Sequence, residues 1–530
     1  MPSTEEFFAR YGPRYRWLAT LSAMVAAIAV ILSATIVNVA IPDVMGAFGI
    51  GPVEAQWLSA GFLAAMTATM LLADWANRAI GQRGSIIAAL GLFLAGSLLG
   101  GVAPDQHVLV LARVVQGAAA GIVQPMAMII LFRVFPPEQR GGAMGLYGIG
   151  VVLAPALGPW IGGLLMDNFN WRYVFYLGVP FAVAGIALAA AFLPGRAAPD
   201  QPRPRFDWLG LALLGVFLAT LLSTLANGQR LGWSSNEILS GFALSAVAFA
   251  GFVAWEKHST HPMLDLTLFA NGPFAAASVV SFILGAGLFG SIYLLPLFVQ
   301  TVQGLTPTEA GLMLMPAGFV LVLVFPIAGR LADRLAPGTL IAAGLVIFAW
   351  SSWLTARIDV NTAFRDLAWW TVLTRIGLGL VFPALTAGSL RVLTTEQIAQ
   401  GSGAINFTRQ LGGAFGVNLL SVIVAQRTTL HGAALAATQT AANSATQQAV
   451  DHLSGLLATA GLPSTEQAPA AFWFLGQALY SQAATLAFRD GFLITAGVFL
   501  LALLPTWVLG VALKRSPRRR ARGAVLARAS

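Results

Sequence analysis

Charge is what this 530-residue sequence has least of: Asp, Glu, Lys and Arg together make up 10% of it. A soluble protein carries about 25%. A water-soluble chain of this length would also divide into several cores. With 57% apolar residues, the solvent of this chain is lipid instead. Cysteine is absent, which excludes disulfides, thiolate zinc sites and cysteine nucleophiles. No His, Asp or Glu falls in the middle of a long apolar run. There is no H-E-x-x-H, no embedded carboxylate pair and no phosphate-binding loop. Nothing in the chain supports an enzyme, and no metal or cofactor is expected.

What is present is a series of apolar runs. A crossing helix needs roughly 20 mostly apolar residues. Fourteen segments qualify: 17–41, 56–75, 84–103, 108–132, 142–165, 173–193, 207–227, 237–256, 273–298, 308–328, 338–356, 368–390, 401–426 and 489–513. The first exceeds the 7–15 apolar residues of a signal peptide and is read as a span. Lys and Arg set the orientation. With the N-terminus (1–16) inside, the cytoplasmic segments hold 21 of the 30 basic residues, including the tail 514–530. Both termini are then cytoplasmic. The net charge of +9 is accounted for by anionic lipid headgroups, and no nucleic acid is expected.

The chain repeats itself at an offset of 258 residues. FRVFPPEQ (132–139) stands opposite LRVLTTEQ (390–397). Pro125, Gly145, Ala156 and Gly158 match Pro383, Gly403, Ala414 and Gly416. The matched Arg-Val and Glu-Gln pairs lie in polar loops, where membrane composition does not explain them. Setting 207–256 aside as an inserted helix pair leaves two six-helix halves, 17–193 and 273–513. Two such halves are what rocking around a midplane site requires.

Several motifs are ordered along this repeat. The loop GRLADRLA (329–336) carries Gly329, Asp333 and Arg334, and DWANRAIG (74–81) is its degenerate first-half copy. Span 1 ends TIVNVAIP (35–42), span 4 begins LARVVQG (111–117), span 5 carries APALGPWIGG (154–163), HPMLDLTLF (261–269) follows span 8, and span 13 reads SGAINFTRQLGGAFG (402–416). Together they resemble the 14-spanner drug:proton antiporters of the major facilitator superfamily. The resemblance implies an all-α polytopic membrane protein of major facilitator fold, in the bacterial inner membrane. It implies export of drug-like small molecules by alternating access. Pro155 and Pro159 would permit a bend in span 5, and Gly158, Gly162 and Gly163 a close approach to the other half. Gly329 is expected to allow helix contact, and Asp333 to pair with arginines across the halves.

A charge at the bilayer centre costs on the order of 2.5–3.5 kcal/mol, so embedded cations are candidate functional groups. Arg113 corresponds to the family's span-4 arginine, linked to proton coupling and substrate handling. Arg375 lies one turn past its counterpart in the repeat, and Arg409 lies in span 13. Ser33, Asn38, Gln116, Gln124 and Asn406 are the polar side chains expected to face a cavity. Where the family places a span-1 aspartate, this chain has Ser33, which cannot carry a proton; Asp74 and Asp490 are the alternatives. Embedded cations without carboxylates favour anionic or neutral amphiphiles as substrates. Residues 427–488 read as one long outer loop with helical stretches, either decoration or a docking face for a periplasmic adaptor and outer-membrane channel. An importer or uniporter on the same scaffold, and a sensor, are the competing readings.

Overall fold

Lipid offers backbone groups no hydrogen-bond partner, so apolar spans must close their bonds internally, as helices do. The computed structural model describes residues 4–135, 157–158, 160–195, 206–259, 262–394, 397–440 and 442–513, and among these every regular element is helical. Pro155, Pro159, the tail 514–530 and the side chains of Asp74, Asp333 and Arg334 lie outside the described residues.

We label the principal helices α1 (Thr4–Tyr11), α2 (Tyr15–Phe48), α3 (Trp57–Met70), α4 (Leu72–Gly101), α5 (Gln106–Val134), α6 (Val179–Phe192), α7 (Trp208–Leu231), α8 (Asn236–His258), α9 (Gly272–Thr301), α10 (Pro307–Arg334), α11 (Pro337–Thr355), α12 (Phe364–Leu390), α13 (Ile398–Ala437), α14 (Ser444–Thr459) and α15 (Ser464–Leu501). Residues 160–168 form a further helical stretch between α5 and α6. Among the described residues, twelve helices are long and apolar enough to cross a membrane. The expected segment 142–165 falls largely outside the described residues. The expected segment 56–75 is interrupted after Met70, and α4 runs on through a sharp turn at Gly81, whose φ of 78° is left-handed. That backbone position favours glycine. Gly81 is thus the part of the degenerate first-half motif that makes the connection between two spans.

The repeat in sequence reappears in packing. α5 lies against α2, α3 and α4 in the first set; α12 lies against α9, α10 and α11 in the second. α4 packs on α6 as α11 packs on α15. The pair α7 and α8 pack on each other, and α7 also touches α3 of the first set and α13 of the second.

The two sets pack α13 on α3 and α9 on α2, and they are hydrogen-bonded at the end of the bundle marked by Pro52. The hydroxyls of Tyr293 and Ser421 both donate to the Pro52 carbonyl, at 3.1 and 3.2 Å. Nearby, the Thr308 backbone N–H at the start of α10 donates to Asp167 Oδ2 at 3.2 Å. Gly163 sits beside this contact: a Cβ there would lie 2.5 Å from the Pro307 carbonyl oxygen. Of the three span-5 glycines, only Gly163 faces the other half. Gly158 and Gly162 face Leu32, Thr35 and Ile36 of α2, because they lie one turn apart on the same helix face and Gly163 points away from it.

The region 427–488, expected as an outer loop with helical stretches, is helical over most of its length: the end of α13, all of α14 and the start of α15. Its Ala- and Gln-rich composition favours helix over loop. α14 packs on α15, while Trp473 and Tyr480 remain exposed.

Candidate functional site: a buried arginine held by neutral acceptors

Arg113 is completely buried. Its position depends on small residues at the same face of α5. A Cβ on Gly117 would lie 2.2 Å from the Phe62 carbonyl oxygen, and one on Gly121 2.3 Å from that of Met66. Glycine therefore brings α3 against α5, as in other membrane helix pairs. This approach delivers the Leu58 carbonyl to Arg113 Nε at 2.8 Å and the Phe62 ring to 4.3 Å from Cζ. The face of the ring offers the cation further favourable electrostatics.

The other side of the guanidinium meets α2. Arg113 Nη1 donates to the Ser33 carbonyl at 3.1 Å, to Ser33 Oγ at 3.0 Å and to Gln116 Oε1 at 2.8 Å. Ser33 Oγ donates to the same Gln116 oxygen at 3.3 Å, and Gln116 Nε2 donates to Ser97 Oγ on α4 at 2.9 Å. Helices α2, α3 and α5 meet at one cation, and α4 joins the network through Gln116. Among the described residues no carboxylate contacts it, and Nη2 has no partner. A guanidinium does not lose its proton here, so neutral dipoles carry the whole task of solvating it. Ser33 stands within hydrogen-bond distance of Arg113, at the place where an aspartate would have made an ion pair.

The remaining expected residues are dispersed. Asn38, also on α2, accepts from the Ser59 hydroxyl of α3. Gln124 is half-buried two turns beyond Gln116. Arg375 is buried on α12 and lines a cavity inside the second set of helices. Arg409 on α13 lies over the Phe382 ring, 4.4 Å from its centroid. Asn406 donates to the Ser402 carbonyl of its own helix at 3.0 Å. Gly329 has open space around it, with no atom within 4 Å of where a Cβ would stand, so no helix contact there depends on glycine. Asp490 on α15 meets His431 Nε2 at 2.9 Å and Arg427 Nε at 3.6 Å, both on α13. It thereby links the two long helices.

Two buried carboxylates are not marked by the sequence pattern because each lies at a span end. Asp207 caps α7 by accepting from the Gly210 N–H at 2.8 Å, and it also accepts from the Trp255 indole at 2.6 Å. Glu256, near the end of α8, accepts from the Leu264 N–H at 3.2 Å. Their second oxygens have no partner among the described residues, and both lie close to Gly210: a Cβ there would be 2.7 Å from Asp207 Oδ2 and 3.0 Å from Glu256 Oε1. The D-x-x-G spacing at 207–210 is the one sequence signal for them. The pair ties both inserted helices to the connector that leads into α9.

A bundle with twelve membrane-length helices among the described residues, an internal repeat and a buried polar network where four helices meet defines a multi-pass membrane protein. More particularly, residues 23–417 match the family model of the Major Facilitator Superfamily, and the chain belongs to that family. It is 30% identical over 492 residues to the multidrug export protein EmrB of Escherichia coli K12, covering 92% of this chain and 94% of that one. It is 29% identical over 444 residues to the fatty acid resistance protein FarB of Neisseria gonorrhoeae, covering 84% and 87%. Among solved structures it is similar in fold to a bacterial homologue of the human lysosomal transporter Spinster, in an inward-facing and occupied conformation. The TM-score is 0.60 at 16% identity, covering 94% of this chain and 97% of that one.

Proposed function

We propose that the chain exports amphipathic, drug-like small molecules across the bacterial inner membrane by alternating access. Residues 17–193 and 273–513 are the moving halves, 207–256 the inserted pair, and fourteen spans place both termini in the cytoplasm. The observation that carries the reading is the network around Arg113. A cation solvated only by neutral groups, with one nitrogen left over, is an electrostatic site poised for a transient negative or polar partner. The names of the relatives EmrB and FarB support export and a substrate range that includes acidic amphiphiles. On this topology the contacts at Pro52 close the outer side.

Proton coupling belongs to the same reading. With Ser33 in span 1, the carrier is sought at Asp74 or at Asp490 beside His431. The adaptor and outer-membrane channel would dock on the helical projection 427–488. The test measures accumulation of a varied compound panel in cells with and without the protein, then transport in vesicles under an imposed pH gradient. Export should lower accumulation of at least one amphiphile. Loss of gradient response in Asp74→Asn or Asp490→Asn would identify the carrier. A wild type that moves substrate but ignores the gradient would favour a uniporter.

A further inference from the structure

The 258-residue repeat relates the Arg113 network to a second polar cluster. Adding the offset to Ser33, Ser97, Arg113 and Gln116 gives Ser291, Thr355, Thr371 and Thr374. All four line one cavity inside the second set of helices, together with Ser352 and Arg375. The cavity is thus the twin of the first site, built on α9, α11 and α12 as the first is built on α2, α4 and α5. It is small: about 20 Å³ of space for the centre of a water-sized sphere, the room that one water requires.

The twins differ in how their cation is satisfied. The position of Arg113 is held by Thr371, and the guanidinium comes instead from Arg375, which occupies the place of Gly117. In the first site Gly117 lets α3 close on α5; in the second, an arginine side chain stands at that place and lines the cavity. Arg375 is 8% exposed. Unlike Arg113, it makes no hydrogen bond or ion pair with any described residue, and no carboxylate lines the cavity. The Ser352 hydroxyl, 5% exposed, is likewise without a described partner. Two polar groups, one of them permanently charged, therefore share a cavity whose other polar lining is Ser and Thr hydroxyls. Thr355, Thr371 and Thr374 donate to carbonyls of their own helices at 2.8–3.0 Å. A hydroxyl hydrogen rotates to suit its neighbours, so these donors can turn to a negative charge.

We propose that this cavity binds a small monovalent anion of halide size, held by the Arg375 guanidinium and the Ser352 hydroxyl. The anion supplies the counter-charge that the first site replaces with carbonyl and amide dipoles. An uncompensated buried charge is strongly destabilising, and charge-assisted hydrogen bonds to an anion are the strong kind. The bound ion stabilises the second set of helices whether or not substrate is being moved.

The test uses the purified full-length protein in detergent, with chloride exchanged for gluconate at constant ionic strength. A ligand of the folded state makes Tm depend on its concentration. Wild type should show a saturable rise in Tm with chloride, reproduced by bromide. Arg375→Gln should lose the response, and Ser352→Ala should raise the half-saturating concentration several-fold. Equal Tm in chloride and gluconate would mean that water alone fills the cavity and would overturn the proposal, as would a full response in Arg375→Gln. If Arg375→Gln does not fold, Ser352→Ala decides: an unchanged half-saturation overturns the assignment. Stabilisation by acetate but not by chloride would reject a halide site and assign the cavity to a carboxylate group.

Discussion

The hydroxyl of Tyr293 donates to the carbonyl of Pro52 across 241 positions of sequence, joining the second set of helices to the first. Ser421 donates to the same oxygen, so one carbonyl takes two hydrogen bonds from the opposite half. A net hydrogen bond contributes about 0.5–1.5 kcal/mol. Tyr293→Phe should therefore shift the balance toward the state open at this end by about 2- to 10-fold. Because the chain has no cysteine, two introduced cysteines carrying spin labels flanking Pro52 and Tyr293 report the distance cleanly. An unchanged distance distribution in the variant would mean that the contact does not set the conformation.

Arg113 is expected to resist even conservative replacement. Its Nε and Nη1 reach acceptors on different helices, a fork that the single ammonium of lysine does not reproduce. Arg113→Lys should lose transport. Arg113→Ala should lose transport and also stability, by about 2–4 kcal/mol, because a cavity opens and the Ser33, Leu58 and Gln116 acceptors lose their donor. Thermal unfolding in detergent beside a transport assay separates the two effects. Normal transport by the lysine variant would relegate the site to a structural role.

Ser33→Asp should place a carboxylate against Arg113, since Ser33 Oγ is already 3.0 Å from Nη1. The cation is buried in either case, so the new partner adds attraction without burying a second unpaired charge. A Tm several degrees above wild type at neutral pH is expected, together with a stronger response of transport to an imposed pH gradient. A lower Tm would show that the neutral acceptors around Arg113 have no room for a carboxylate.

The glycines divide by what surrounds them. Gly117→Ala puts a methyl 2.2 Å from a backbone carbonyl oxygen, where nothing rotates away, and should abolish folded protein in membranes. Gly163→Ala, 2.5 Å from Pro307 backbone, should loosen the contact between halves. Gly158→Ala meets side-chain atoms at 3.1–3.2 Å and should cost less than about 1.5 kcal/mol. Gly329→Ala should be silent in stability. Expression level and elution profile rank the four, and a silent Gly117→Ala would contradict the close approach of α3 to α5.

Asp207→Asn keeps the cap shape but weakens the acceptor that serves both Gly210 and the Trp255 indole. Asp207→Ala removes both bonds, and helix N-cap loss alone costs about 0.5–2 kcal/mol. The alanine variant should unfold earlier while the asparagine variant stays near wild type. Equal stability of wild type and the alanine variant would show that the inserted pair is held by apolar packing alone.

Long apolar runs, the distribution of arginines and the 258-residue repeat lead from sequence to a polytopic bundle with two related halves, because lipid allows few solutions. Arg113 and Gln116 stand out as polar residues in an apolar span, and they are indeed joined. Partnership is what the sequence does not convey. Nothing in the letters says that Arg375 has no partner among the described residues while Arg113 bonds through Nε and Nη1; that depends on which helix closes against which glycine. Asp207 and Glu256 are hidden for a related reason. Hydropathy marks a span end as exposed, and only the fold of α7, α8 and their connector buries those ends.

Helix α13 runs for 40 residues. At 1.5 Å per residue that is about 60 Å, roughly twice the thickness of the hydrocarbon core. Its far end packs on α15 and is tied to it through Asp490 and His431, and on the proposed topology it reaches beyond the lipid. In the alternating-access cycle proposed above, a rigid rod anchored in one half would behave as a lever: a tilt that shifts atoms near Arg409 only slightly would sweep the projecting tip, with its exposed Trp473 and Tyr480, through a far wider arc. A partner touching that tip would then sense which way the transporter faces.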